Sequence, residues 1–248
     1  MYDLLIKKIK AKKPLDRLDD AIVLDRIVSF FKINPKLFKK IDFDNEKNAN
    51  FKLVLKNVRN ELNKRYGVFW SNDISLEGHK SSKERLEFYE ELYNEIFSIT
   101  GKPSIILDIG AGLNPLSILL MKFKGEYIAT ELNKYDCDAL NKWFIKNKID
   151  GKAIVLDLNK NLNFPKADVV FLFKIFDSVE EKGHKLSEEI LKKLGCKYAV
   201  VSFATKTVMG KEMNFPNRGW IERLLTRLEL KFDKVEFSNE MFYIIKMK

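Results

Sequence analysis

The chain has 248 residues, of which 46% are hydrophobic, including 19 Phe, 8 Tyr and 3 Trp. This apolar content is enough for a sizeable core and excludes a disordered tail protein. No apolar run approaches the ~20 residues that cross a bilayer, and residues 1–13 are too densely charged for a secretory signal. Two Cys and two His exclude a disulfide framework and leave little material for a metal site. We therefore expect a soluble cytoplasmic protein with no membrane or metal partner.

Positive charge is concentrated near the start of the chain. The 45 Lys and Arg residues exceed the 35 Asp and Glu residues, which gives a net charge of +10. Residues 1–68 hold 17 basic and 9 acidic residues, whereas the remaining 180 residues hold 28 and 26. Such asymmetry suggests a surface that binds a polyanion, because Lys and Arg that neutralise phosphates release counterions. A lysine-rich surface that only keeps the protein soluble explains the composition equally well.

Amphipathic segments predict a helical domain over residues 1–100. The expected helices cover residues 18–31, 35–41, 51–66 and about 81–99. Pro35 suits the first turn of the second helix, and Gly67 is a natural stop for the third. Ser81 and Ser82 can cap the fourth helix. Three or four such helices indicate a small bundle.

Short β-branched runs alternate with helical segments over residues 101–248. The expected strands cover residues 104–109, 127–130, 153–157, 168–173, 198–203, 231–238 and 240–247. The expected helices cover residues 115–123, 135–147, about 178–194 and 216–228. Apolar strands separated by helices indicate a parallel sheet that is covered on both faces. The closing hairpin is typical of the seven-stranded, Rossmann-like methyltransferase sheet, so we predict this α/β fold behind an N-terminal helical bundle.

A glycine turn follows the first predicted strand, with the sequence Asp108-Ile-Gly-Ala-Gly-Leu-Asn-Pro115. Glycines at a strand–helix turn let the backbone approach a ligand closely. A dinucleotide fingerprint requires a third glycine where this chain has Pro115. Asp108 followed by Gly110 and Gly112 is instead the usual first motif of enzymes that use S-adenosylmethionine (SAM).

Two further acidic residues end the next predicted strands. Glu131 stands 21 residues after Gly110 and can accept bonds from both hydroxyls of a ribose. Asp157 ends the third predicted strand, where its carboxylate or backbone can meet the amino group of adenine. Three acids at the ends of successive strands, beside a glycine turn, predict SAM binding.

At these motifs the chain resembles the ribosomal RNA methyltransferases of the aminoglycoside-resistance (Arm/FmrO) type. Four segments carry the resemblance in the family's order, namely residues 79–86, residues 108–116, residues 172–174 with Glu180 and Glu181, and residues 201–211. The chain departs from the family pattern at Ser82, which replaces threonine, at Ala111, where cysteine is common, and at Ala204, which replaces proline. The match spans about residues 50–248.

The resemblance implies an enzyme that uses SAM to methylate N7 of a guanine in the decoding site of small-subunit ribosomal RNA. It implies cofactor contacts from Arg85, Asp108, Gly110, Gly112, Glu131, Asp157, Leu158 and Phe173. Arg85 would hold the methionine carboxylate of SAM. Lys174 and Glu180 would lie on the side of the pocket that faces the target base. The expected partner is the small ribosomal subunit, bound by a monomer.

Lysines that could contact RNA phosphates are Lys7, Lys8, Lys10, Lys12, Lys13, Lys36, Lys39, Lys40 and Lys206. Most of them belong to the basic helical domain, which we therefore interpret as the part that binds RNA or the ribosome. A run of lysines is nevertheless often only a solvated face.

The chemistry also favours a ring nitrogen as the methyl acceptor. Guanine N7 carries a lone pair and no proton at neutral pH, so placement of donor and acceptor is enough and no general base is needed. Methylation of carbon 5 in a pyrimidine needs a nucleophilic cysteine, and neither Cys137 nor Cys196 is in a motif position. Three alternatives stay open: transfer RNA or a small molecule as substrate, methylation of a ribose 2′ oxygen, and a non-catalytic ribosome-assembly factor that binds SAM.

Overall fold

The computed structural model describes residues 1–13, 15–63, 66, 75–180, 183–207, 211, 213 and 218–248. The chain forms two compact units, Met1–Asp73 and Ile74–Lys248. The boundary predicted after residue 100 differs from this division, because the helix before the first strand packs on the sheet. Its Tyr93 ring stacks on Phe171 with 6.2 Å between centroids. Parts of the predictions lie outside the described residues, namely residues 64–65, Gly67, residues 181–182, residues 208–210 and residues 216–217.

The first unit consists of short helices around an apolar core. They are α1 (Asp3–Lys10), α2 (Asp20–Ile33), α3 (Pro35–Phe38) and α4 (Ala49–Leu62). Helix α1 is not among the predicted helices, because its lysines conceal a pair of apolar residues, Leu5 and Ile9, spaced by one helical turn and fully buried. The side chain of Asn48 caps α4 by accepting bonds from the N–H groups of Asn50 and Phe51.

The second unit contains a seven-stranded mixed sheet. Its strands are β1 (Ile105–Ile109), β2 (Glu126–Glu131), β3 (Gly151–Val155), β4 (Val169–Phe173), β5 (Tyr198–Ala204), β6 (Lys231–Phe237) and β7 (Glu240–Lys246). The spatial order is β3-β2-β1-β4-β5-β7-β6. Strands β1 to β5 are parallel, whereas β7 is antiparallel to both β5 and β6. The predicted seven-stranded α/β fold is confirmed.

Helices flank this sheet, and one predicted helix is divided. They are α5 (Lys80–Arg85), α6 (Tyr89–Thr100), α7 (Ile118–Met121), α8 (Lys134–Lys146), α9 (Ile175–Val179), α10 (Lys185–Lys193) and α11 (Gly219–Arg227). The helix predicted to run to about residue 99 breaks between α5 and α6, where Phe88 has a non-helical backbone with φ −130°. The break turns the last residue of α5, Arg85, into the interior.

The order of the strands determines where a ligand can bind. Strand β1 lies between β2 and β4. Strands β2 and β3 are added on one side of β1, and β4 and β5 on the other, so the order of the strands changes direction at the parallel β1–β4 pair. In doubly wound sheets, ligands bind outside the carboxyl ends of the strands at such a switch point. A ligand is therefore expected beside the turn after β1 and the residues after β4. Within the described part of the chain, no helix is long and apolar enough to cross a membrane.

The first unit offers a matched pair of substitutions on one helix. Phe51 in α4 is fully buried, whereas Leu53 is 44% exposed. We expect Phe51→Ala to lower the free energy of unfolding by about 3–5 kcal/mol, because it leaves a cavity, and Leu53→Ala to have little effect. Chemical denaturation followed by circular dichroism measures both. Equal effects of the two substitutions would contradict the described core.

Candidate functional site

The turn after β1 is built from two glycines in left-handed conformation. Gly110 has φ +62° and Gly112 has φ +56°. A Cβ on Gly110 would lie 2.1 Å from the Cδ1 atom of Ile175, and one on Gly112 would lie 2.8 Å from the ring of His79. The left-handed backbone therefore favours glycine at both positions, and a Cβ there would also force the neighbouring side chain to move. Ile175 follows β4, so its side chain occupies the space that a Cβ on Gly110 would need.

Glu131 at the end of β2 meets the glycine turn directly. Its carboxylate accepts bonds from the N–H groups of Gly112 at 2.5 Å and Leu132 at 3.1 Å. Burial raises the pKa of Glu131 to about 8, with a further contribution from nearby Asp136. The structure thus brings together two of the predicted cofactor residues, Gly112 and Glu131.

Asp108 lies beneath the same turn. Its side chain is 1% exposed, and its Oδ2 atom accepts bonds from the Tyr127 hydroxyl at 2.6 Å and the Asn114 amide at 2.9 Å. Burial raises the pKa of Asp108 to about 6, although these two hydrogen bonds oppose the rise. The Asp108 carboxylate therefore holds the Asn-Pro end of the turn against the sheet.

Helix α6 supports the turn from the other side. The Tyr89 hydroxyl donates to the Oδ1 atom of Asn114 at 2.9 Å. The Tyr93 hydroxyl and the Ser117 hydroxyl lie 2.5 Å apart, and Ser117 also donates to the carbonyl of Asn114 at 2.6 Å. Both polar atoms of the Asn114 amide are thereby satisfied in the interior, as buried polar groups require.

Arg85 forms a buried ion pair with Glu240, the first residue of β7. Its Nε and Nη2 atoms donate to the two carboxylate oxygens of Glu240 at 3.0 and 2.8 Å. Arg85 is 2% exposed and Glu240 is fully buried. The guanidinium carbon of Arg85 lies 4.8 Å from the centre of the Phe173 ring. Both Arg85 and Phe173 thus lie at the carboxyl end of β4.

Lys174, the residue after β4, also interacts with Glu240. Its Nζ atom lies 3.1 Å from Glu240 and 2.8 Å from Glu84 of α5. Its backbone has φ +59°, a conformation that is rare for residues other than glycine and concentrates at functional sites. The Lys174 N–H donates to both the carbonyl and the hydroxyl of Ser202 in β5. Two cations and two carboxylates therefore meet beside the switch point, and we call them the ion cluster: Arg85, Lys174, Glu84 and Glu240.

Asp157 and Leu158 lie just beyond β3, which ends two residues earlier than predicted. The Oδ1 atom of Asp157 accepts a bond from the N–H of Asn159 at 3.0 Å. The N–H of Leu156 donates to the carbonyl of Glu131 at 2.8 Å, which keeps this segment beside the end of β2. The Leu158 side chain is 8% exposed and belongs to the core.

Glu180 and Lys174 lie at opposite ends of α9. The Oε1 atom of Glu180 accepts a bond from the N–H of Ser187 at 2.6 Å, in the first turn of α10. This contact stabilises the start of α10, where unsatisfied N–H groups favour a carboxylate. The structure assigns Glu180 this local contact and places Lys174 in the ion cluster.

The predicted RNA-binding lysines differ in exposure. Lys8 is paired with Glu46, and Lys10 lies 2.5 Å from Asp20. Of the predicted lysines in the first unit, the exposed ones are Lys7, Lys12, Lys13, Lys36, Lys39 and Lys40. Lys206, in the second unit, is half-buried in the segment that follows β5.

Neither cysteine fits a nucleophilic role. Burial raises the pKa of both Cys137 and Cys196 to about 12, which keeps the thiols protonated near neutral pH. In the part of the chain that the structure describes, no group of three or more His, Cys, Asp and Glu side chains could hold a metal ion.

Sequence reasoning missed Glu240, Asn114 and Tyr89 as residues of the site. The available signal for Glu240 was a lone acid at the start of an otherwise apolar strand, Glu240–Lys246, of which six residues are buried. Asn114 was visible as part of the Asn-Pro extension, but its amide partners could not be read from spacing. Tyr89 looked like an ordinary apolar position of an amphipathic helix.

Comparison with solved structures shows which fold this architecture represents. The 16S rRNA methyltransferase RmtF in complex with S-adenosyl-L-homocysteine superimposes with a TM-score of 0.77 at 18% identity, covering 100% of this chain and 98% of that chain. The 16S rRNA methylase RmtB superimposes with a TM-score of 0.77 at 20% identity, covering 100% and 99%. The fold is therefore that of a SAM-dependent methyltransferase.

The model of the FmrO ribosomal RNA methyltransferase family matches residues 66–244, and the chain belongs to this family. The family resemblance carried by the four motifs is thus confirmed. A 16S rRNA (guanine(1405)-N(7))-methyltransferase of Proteus mirabilis is 29% identical over 187 residues, covering 71% of this chain and 66% of the relative. An enzyme of the same name from Frankia casuarinae is 25% identical over 183 residues, covering 68% and 61%. The match thus spans less than two thirds of either relative.

The raised pKa of Glu131 predicts a pH dependence of stability. The pKa is about 8 in the folded protein against an ordinary value of 4.5, so between these values the folded protein holds a proton that the unfolded chain has released. Stability should therefore fall as the pH rises from about 4.5 to about 8. Glutamine cannot ionise, so the free energy of unfolding of Glu131→Gln should fall less over this pH range. Urea denaturation measures it.

Glu126→Gln is the matched control, because Glu126 lies at the other end of β2 in a surface pair with Lys152. It should keep the pH dependence of the unchanged protein. If Glu131→Gln also kept that dependence, Glu131 would not be the buried titrating group.

Proposed function

We propose that this protein is a SAM-dependent methyltransferase that acts on N7 of a guanine in small-subunit ribosomal RNA. Family membership and the 16S rRNA methyltransferases among its relatives support this assignment. The observation that carries it is the contact of Glu131 with the N–H of Gly112 in a left-handed glycine turn, at the carboxyl ends of β1 and β2.

The side chains at the carboxyl ends of the strands fit the chemical groups of SAM. The side-chain oxygens of Glu131 can accept bonds from two ribose hydroxyls. Arg85 and Lys174 are cations for the methionine carboxylate, and Glu84 is an anion for its ammonium group. When bound, SAM supplies a methyl group that its sulfonium already activates.

Asp108 contributes indirectly in this proposal. Its carboxylate is buried and bonded to Asn114 and Tyr127, so it shapes the glycine turn from beneath. Asp157 and Leu158 follow β3 beside the end of β2. In this proposal they line the part of the SAM pocket that receives the adenine ring. The Phe173 ring packs against the guanidinium of Arg85 and lines the pocket beside it.

The protein's contribution to the reaction is placement. A guanine N7 acceptor has no proton to lose, so the chain needs to hold the donor and the base in line and keep water out. The protonated cysteine thiols argue against attack on a pyrimidine carbon. Lys174, beside the switch point and 12% exposed, is more accessible than Arg85, which is 2% exposed.

RNA binding requires phosphate contacts, because N7 lies in the deep and narrow major groove of A-form RNA. Moving the guanine out of its helix costs a few kcal/mol, in the order of magnitude found for flipped bases. We assign the compensating phosphate contacts mainly to the exposed lysines of the first unit, which include Lys7, Lys12 and Lys13 near the end of α1.

A transfer assay tests the function. The purified protein is incubated with methyl-labelled SAM and, separately, intact small subunits, naked ribosomal RNA or total transfer RNA. We expect label in small-subunit RNA and chain cleavage at one guanine after borohydride and aniline treatment, which is the signature of N7 methylation. Label only in transfer RNA, or label in small-subunit RNA without such cleavage, would refute the proposed target. Binding of SAM without transfer to any RNA would favour an assembly factor.

Glu131→Ala tests the donor pocket itself. The substitution removes the acceptor of two ribose hydroxyls, and each hydrogen bond contributes about 0.5–1.5 kcal/mol, so the two together contribute about 1–3 kcal/mol. We therefore expect affinity for S-adenosylhomocysteine to fall about tenfold or more in calorimetry. Glu126→Ala, on the same strand but at its opposite end, should bind normally. Unchanged affinity in Glu131→Ala would show that the pocket lies elsewhere.

A further inference from the structure

Glu240 is the least expected residue of the site. It is a fully buried carboxylate in a strand whose next five residues are buried and apolar. In the sheet it pairs with Ala204 at the end of β5, so its side chain reaches the carboxyl end of the parallel strands although β7 runs in the opposite direction. A buried carboxylate is expensive unless cations and hydrogen bonds compensate it.

Glu240 has such compensation from three directions. Arg85 donates two bonds to it, Lys174 lies 3.1 Å from its Oε2 atom, and Ser202 donates to its Oε1 atom at 2.5 Å. Burial alone would raise the pKa of Glu240, but Arg85 and Lys174 hold it below its ordinary value. The Glu240 carboxylate is thus ionised, and it neutralises part of the charge of two cations.

This arrangement fixes the orientation of both cations. The Nε and Nη2 atoms of Arg85 are committed to Glu240, and its guanidinium lies over the Phe173 ring, so rotation of the guanidinium is restricted. The ammonium of Lys174 is held between Glu240 and Glu84. The hydrogens of Arg85 that do not point at Glu240 are therefore presented in a fixed direction.

We propose that Glu240 is a positioning residue for the methyl donor, and that it holds Arg85 and Lys174 where they receive the amino-acid portion of SAM. The inference rests on the proposed function, because it takes the ion cluster to be the site of the methionine carboxylate. Glu240 itself does not touch the donor. Its effect is transmitted through the two cations.

The competing explanation is that Glu240 only fastens the closing hairpin. Asn239, in the turn before β7, also donates to the carbonyl of Glu84 at 3.1 Å, so the hairpin and α5 are joined twice. A purely structural role would weaken every ligand of the pocket alike. A positioning role would weaken only ligands that carry the carboxylate, and this difference can be measured.

The experiment compares two ligands by calorimetry. S-adenosylhomocysteine carries the amino-acid portion, whereas 5′-methylthioadenosine lacks it and keeps the nucleoside and sulfur. We expect Glu240→Gln to lower the affinity for S-adenosylhomocysteine about tenfold or more, by the usual worth of a hydrogen bond to a charged group. Affinity for 5′-methylthioadenosine should change less than about twofold. An equal loss for both ligands, or no loss for either, would overturn the proposal.

Two further variants make the comparison decisive. Glu240→Asp keeps the charge, so it should recover part of the preference for S-adenosylhomocysteine. Glu222→Gln is the matched control, because Glu222 lies in α11 and bonds to the same hairpin through Lys234 of β6 and Tyr243 of β7, three residues along β7 from Glu240. It should leave the ratio of the two affinities unchanged.

A milder variant covers the case in which Glu240→Gln does not fold. Ser202→Ala removes one hydrogen bond to Glu240 and leaves its charge in place. We expect a smaller decrease of the same affinity ratio, and an unchanged ratio in this folded variant would count against the proposal. If the unchanged protein binds neither ligand, the proposed function fails. If it prefers S-adenosylhomocysteine and the variants keep that preference, only the role of Glu240 fails.

Discussion

The buried ion pair between Arg85 and Glu240 constrains four segments of the second unit at once. Arg85 ends α5, Glu240 begins β7, Lys174 follows β4 and Ser202 lies in β5, and all of them converge on one carboxylate. Breaking a buried pair by removing one partner typically costs about 3–5 kcal/mol, whereas an intact pair adds little net stability over apolar packing. The pair therefore determines geometry more than it determines stability.

A second buried network supports the glycine turn, and Tyr89 links it to the first. Asn114 is bonded to Asp108 on one side and to Tyr89 on the other. Tyr89 also interacts with Arg85, one turn earlier in the chain. The backbone of the turn and the cations opposite it consequently belong to one connected polar system. Such a system is preorganised, because its groups have few alternative partners within the apolar surroundings.

The sequence predicts the fold better than it predicts the site. Strands and most helices follow from apolar periodicity, which is a local signal, and the Gly112–Glu131 contact joins two recognisable strand ends. The Arg85–Glu240 pair joins residues 155 positions apart, so no spacing rule could have indicated it. The break between α5 and α6 was equally hidden, because the flanking residues keep helical periodicity. The resemblance implies a target-side role for Glu180, but no motif indicates that its carboxylate accepts a bond from the N–H of Ser187.

The position of β7 has a consequence for the order in which this protein is made. Strand β7 lies between β5 and β6 in the sheet although it follows both in the chain. Its first residue, Glu240, pairs with Arg85, which is synthesised 155 residues earlier. A growing polypeptide that has not yet exposed residue 240 leaves Arg85 without its partner and β5 without its neighbour. Contacts between such distant residues form late, since the loop between them must close first. On the proposed role of Arg85 and Glu240, a nascent chain should remain unable to hold a methyl donor until the β6–β7 hairpin has left the ribosome.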